Sequence, residues 1–110
     1  MYDLSIKPEA DKIFRKLEKK DKNLLRTVNK KILEIRQNPY HTYKFLRNPF
    51  QNFNRIHIGA HFVLIFCIDH TSKLVDIYYF AHHDKAYKWK YKPKMEELQD
   101  NKEDEAWQNS

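Results

Sequence analysis

The chain predicts an α+β domain, and three features of its pattern carry that expectation. The opening "YDLSI" alternates apolar and polar side chains. Residues 8–37 repeat their apolar positions at helical spacing. Residues 53–81 fall into three apolar segments divided by two turns. With 110 residues, 41% of them hydrophobic, the chain can close one core and not two.

Each element has its own local reason. In "YDLSI", Tyr2, Leu4 and Ile6 share a face, which suits a short strand. Pro8 fits the first turn of a helix, where its missing N–H costs nothing, and Ala10, Ile13, Phe14 and Leu17 follow at helical spacing. Asp21 caps a second helix carrying Leu24, Leu25, Val28, Ile32 and Ile35. That helix stops before Asn38-Pro39, because the residue preceding a proline avoids the helical region. The two form an antiparallel helical hairpin. Residues 39–52 read as a linker with two prolines. "FNRIHI" alternates again, Gly59-Ala60 turns the chain, "HFVLIFCI" has the length and β-branching of a central strand, and "DHTSK" leads into "LVDIYYFA". A three-strand antiparallel meander results, followed by a short C-terminal helix with Asp84 as its N-cap and Ala86, Tyr87 and Trp89 within it.

Charge separates the chain into a domain, residues 1–94, and a tail, residues 95–110. The first part has twenty Lys or Arg against nine Asp or Glu, a net of +11; the second has one against six, a net of −5, and lacks a sustained apolar face. The tail is expected to be disordered or a loose helix. The basic domain points to an anionic partner. Lys12, Arg15, Lys16, Lys19, Lys20, Lys22, Arg26, Lys30 and Lys31 crowd the outward face of the hairpin, a pattern that also suits a merely solvated helical surface. One cysteine, Cys67, argues against a disulfide framework and for a reducing cytoplasm. No run of about eighteen apolar residues and no signal-peptide pattern appears, so no membrane partner is expected.

Candidate chemistry collects at two places. Arg55 and His57 sit two apart on one strand, so the pleat projects them from one face. An arginine can hold phosphate oxygens bidentately, and an imidazole with a pKa of about 6.5 can act as acid or base at neutral pH. A polar solvent face explains the same pair. The second place is "HHDKAYKWKY", residues 82–91, where His82, His83, Lys85 and Tyr87 offer acid–base, phosphate and stacking groups. Lys88, Lys90, Lys92 and Lys94 alternate with Trp89 and Tyr91, which suits single-stranded nucleic acid, or a plain lysine-rich extension. A metal site is disfavoured, since neighbouring histidines on extended chain point opposite ways and no Cys or His recurs at ligand spacing.

The order of elements, with "YDLSIKPEADKIFRKL", "KFLRN", "NRIHIGAHFVLIF" and "HHDKAY", resembles the RelE/ParE superfamily of toxins over roughly residues 2–90. The ending "HHDKAYKW" is similar to a branch that finishes His-Asp-x-Ala-Tyr-x-Trp. The resemblance implies a RelE-like toxin of a type II toxin–antitoxin module that cuts messenger RNA in the ribosomal A site. It implies no metal and no small-molecule cofactor: a 2′-hydroxyl attacks the adjacent phosphate while protein groups supply base, acid and positive charge. The implied partners are a cognate antitoxin, messenger RNA and the ribosome. A hydrophobic groove between hairpin and sheet would take an antitoxin helix. Arg55 and His57 match the family's basic pair, and His82 or His83, Lys85 and Tyr87 match its strand-end positions. The nuclease members carry a Tyr-Arg pair where this chain has His61-Phe62. Phe62 cannot neutralise phosphate, a loss on the order of a hundredfold in rate unless Arg47, Lys85 or His61 substitutes; it could stack on a base or pack in the core. Two alternatives remain open: a ParE-like inhibitor of DNA gyrase, and a degenerate member that only binds its antitoxin.

Overall fold

A computed structural model describes residues 1–46 and 52–91. The elements run β1 (Asp3–Ile6), α1 (Pro8–Lys20), α2 (Lys22–Gln37), β2 (Lys44–Phe45), β3 (Asn54–Ile58), β4 (Phe62–Asp69), β5 (Leu74–His82) and α3 (His83–Ala86). They make an α+β fold with one five-stranded sheet in the order β1-β5-β4-β3-β2. Strands β2 to β5 pair antiparallel, and β1 returns to lie parallel to β5. The expected meander is therefore extended at both edges. Strand β2 falls inside the stretch expected to be a linker, because a pair of residues is too short to show alternation.

Local signals explain the hairpin. Pro8 opens α1, with Glu9 and Asp11 in its first turn and Lys19 and Lys20 in its last, each sign matching the helix dipole. Asp21 accepts from the Leu24 N–H at 3.1 Å and so begins α2. The Asn38 N–H closes on the Glu34 carbonyl at 2.9 Å before Pro39 stops the helix. Gly59, at φ +63°, turns β3 into β4.

The sheet buries both faces, and the two coverings differ. On one side Phe14 of α1 and Val28, Ile32 and Ile35 of α2 pack on Ile58, Leu64, Phe66, Val75, Ile77 and Phe80. The hairpin and the sheet thus share one continuous core. On the other side Val63 and Ile65 are covered by Leu46 and Ala86, with Phe53, Tyr78, Tyr79 and Trp89 around them. A register shift at Ile65/Phe66 accompanies the presence of both Tyr78 and Tyr79 in this second cluster. Leu4 and Ile6 remain exposed on the edge strand β1. No helix among the described residues is long and apolar enough to cross a membrane.

The C-terminal helix begins two residues earlier than expected. His82 is its N-cap, its Nδ1 accepting from the Asp84 N–H at 3.4 Å, while Asp84 sits inside the first turn. Tyr87 is the C-cap, and Trp89 lies beyond the helix. The imidazole occupies the capping place that a carboxylate was expected to fill, which frees Asp84 to face the histidines.

Candidate active site

Alternation along β3 decides which groups share a surface. Arg55 lies opposite Ile65 and His57 opposite Val63, and both partners belong to the face covered by α3. Arg55 and His57 therefore project beneath the end of that helix. The Tyr87 hydroxyl meets both: Arg55 Nη1 donates to it at 3.3 Å, and His57 Nε2 lies 3.2 Å away. The guanidinium carbon is 5.6 Å from the Tyr87 ring centroid, a cation–π distance. Arg55 is steadied from the far side, where its Nε donates to the Phe45 carbonyl at 3.3 Å. That anchor belongs to β2, the unforeseen strand, and no side-chain pattern advertises a backbone carbonyl. Tyr87 is 49% exposed, so this arginine–histidine–tyrosine group is open to a large ligand.

A second group stands at the turn between β3 and β4. His61, His82 and His83 bring ligand-capable nitrogens within 4.8 Å of one another. The rings of His82 and His83 are 4.3 Å apart, and His61 stacks on His82 at 5.8 Å with 7° between planes. The expectation that adjacent histidines diverge is corrected here: the chain bends from strand to helix between them, so the two-fold alternation of an extended strand no longer applies. The His83 N–H donates to the His61 carbonyl at 2.8 Å, tying the corner to the turn. Asp84 lies beside both rings, its Oδ1 3.0 Å from His83 Nδ1 and its Oδ2 3.6 Å from His82 Nδ1. His83 precedes Tyr87 by four residues, and the Tyr87 N–H closes on the His83 carbonyl at 3.1 Å. The two side chains thus rise from one side of α3, which links the two groups.

The remaining expected residues divide. Lys85, Lys88 and Lys90 are exposed near the helix end. Trp89, expected to contact RNA, packs on the protein: its ring stacks on Tyr79 at 5.8 Å and meets Phe53 edge-on at 5.2 Å, and its Nε1 donates to Glu9 Oε1 at 2.7 Å. Phe62 stacks on Phe80 at 5.3 Å and lies opposite Ile58, so it belongs to the helix-covered face. A side chain at position 62 leaves the sheet away from Arg55 and His57, and Phe62 therefore vacates no place beside them. Arg47, Lys92, Lys94 and the acidic tail lie outside the described residues.

A helical hairpin on one side of a small sheet and a short helix carrying histidine and tyrosine on the other define a RelE-type toxin fold. No protein-family model matches the chain. It is 49% identical over 90 residues to a protein named for these toxins, RelE4 of Methanocaldococcus jannaschii, covering 82% of this chain and 95% of that one. The toxin–antitoxin complex RelBE of E. coli matches with a TM-score of 0.61 at 18% identity, over 74% of this chain and 96% of that one. A toxin from Helicobacter pylori, crystallised with metal bound, matches at 0.66 and 16% identity, over 77% of this chain and 98% of that one. At such identities the structural matches carry the fold alone. The identity to the archaeal relative carries more: the chain belongs to the RelE/ParE toxin superfamily.

Proposed function

We propose that this toxin is an mRNA interferase of a type II toxin–antitoxin module, cleaving ribosome-bound messenger RNA by metal-independent acid–base chemistry in the cytoplasm and held in check by a cognate antitoxin. One observation carries the nuclease reading: a single exposed tyrosine hydroxyl is hydrogen-bonded by both a guanidinium and an imidazole. A solvent-facing sheet surface has no need of such convergence. Arg55 would hold the non-bridging phosphate oxygens and balance the added charge as the 2′-hydroxyl attacks. The His57–Tyr87 pair can pass a proton along its own hydrogen bond, and His83, one helical turn away, supplies a second imidazole across the phosphodiester. One group takes the 2′-hydroxyl proton and the other returns a proton to the departing 5′-oxygen. This leaves a cyclic phosphate and a free 5′-hydroxyl. His82 and His61 line the same corner, and Lys85, Lys88 and Lys90 offer phosphate contacts along the strand.

Purified protein added to translating ribosomes, with RNA ends mapped in the presence and absence of chelator, tests this. Cut messages in both conditions are expected. Tyr87→Phe should slow cleavage by about a hundredfold or more while leaving the circular dichroism spectrum unchanged. Intact messages accompanied by gyrase inhibition would overturn the nuclease reading, and cleavage that stops when chelator is added would overturn the metal-independent mechanism.

A further inference from the structure

We infer that His61, His82 and His83 form a binding site for a divalent transition metal of the zinc class. The site stands on its own geometry and does not depend on the nuclease reading. Three imidazoles converge from three places in the chain, a turn, a strand end and a helix start, with their nitrogens within 4.8 Å of one another. Tetrahedral zinc at about 2.0–2.1 Å from each nitrogen sets them about 3.4 Å apart. The three nitrogens must draw together for an ion to be held. His61 is exposed on a turn, and the side chains of His82 and His83 are 44% and 39% exposed.

The surroundings supply what a ligating histidine requires. In metal sites the second ring nitrogen commonly donates to a carboxylate, which fixes the tautomer and aims the other lone pair at the ion. Asp84 is placed to do this twice, at 3.0 Å from His83 Nδ1 and 3.6 Å from His82 Nδ1. With both Nδ1–H groups turned to that carboxylate, both Nε2 atoms are free. The competing bond from the Asp84 N–H to His82 Nδ1 is long, at 3.4 Å, and is readily surrendered. The backbone bond from the His83 N–H to the His61 carbonyl, 2.8 Å, holds the third ligand at the corner before any ion arrives. Imidazoles select zinc, nickel or copper over magnesium or calcium, and three protein ligands leave a fourth position for water. An ion there takes the His83 lone pair out of proton transfer, so occupation and the RNA chemistry proposed above oppose each other.

The test is direct titration of chelator-treated full-length protein with zinc by calorimetry, with cobalt as an optical reporter of coordination. One zinc per chain and a visible cobalt spectrum of low coordination number are expected. His61→Ala and His83→Ala should each weaken zinc binding by more than about a hundredfold, and Asp84→Asn by about ten- to a hundredfold. His70→Ala, in a histidine outside the cluster, should leave it unchanged. Circular dichroism on each variant establishes that it is folded. Absence of zinc binding by the folded parent would overturn the inference. So would binding that survives in folded His61→Ala and His83→Ala, or that falls equally in His70→Ala.

Discussion

Tyr87 is placed by its neighbours more than by its own burial, and the same is true of other polar groups here. Arg55 reaches both the Phe45 carbonyl and the Tyr87 hydroxyl because a guanidinium is a fixed fork. Arg55→Lys keeps the charge and loses one of those contacts, so RNA cleavage should fall although the net charge is unchanged, measured on the same ribosome preparation. Tyr2 shows a comparable dependence. Its hydroxyl donates to Tyr40 at 3.1 Å, and that bond, with burial and the nearby Tyr40 and Asp69 charges, pushes its pKa from 10.0 up to about 12. The folded form keeps a proton that the unfolded form loses, so the contribution is whole below pH 10 and declines between pH 10 and 12. Denaturant melts across that window should show the decline, and Tyr40→Phe should reduce it. Cys67 is raised to about 12 by burial first and the Asp76 carboxylate second, and its thiol donates to the Asn52 carbonyl at 3.2 Å. Folded protein should resist iodoacetamide at pH 8 and unfolded protein should react; rapid alkylation of the folded chain would contradict this.

Helix α3 is four residues long, far too short to persist alone, so its position depends on what pins it. Buried Ala86 seats it on the sheet, and Trp89 clamps the chain just beyond its end through Tyr79 and Glu9. Trp89→Ala should cost about 2 kcal/mol, less than a fully buried tryptophan because this one is half-buried, and should also impair cleavage by letting Tyr87 drift. A normal melting temperature together with normal activity would show that the clamp is idle. The β3–β4 turn is governed differently. Gly59 has φ +63° and nothing within 4 Å of where a Cβ would stand. Gly59→Ala therefore costs only the dihedral penalty, about 1–2 kcal/mol, and lowers the melting temperature without repacking the core. The strand pattern made this turn legible. It could not reveal β2, since a pair written Lys44-Phe45 carries no period and becomes a strand only when β3 lies beside it.

The molecule as a whole is a sheet that needs two different coats. Phe66 is fully buried under the hairpin, and Phe66→Ala should cost about 3–5 kcal/mol, a large share of the stability of a domain this size, as seen in the denaturant midpoint. The hairpin was readable because Val28, Ile32 and Ile35 repeat at helical spacing. The second coat was less so: Leu46, Ala86 and Trp89 are scattered in sequence and meet only through the fold. Trp89 illustrates the limit. Flanked by lysines, it has the composition of a nucleic-acid contact, yet its ring is turned inward onto Tyr79.

The one-dimensional pattern was enough to establish two helices, the main strands, and the pairing of Arg55 with His57 on one surface, because periods of 3.6 and two are local consequences of backbone geometry. It left undecided which surface that was, that a parallel β1 would close the sheet beside β5, that Phe62 would face the hairpin, and that two adjacent imidazoles would turn toward a third. Those outcomes depend on contacts between residues far apart in the chain, and only the packed arrangement of both sheet faces selects among them.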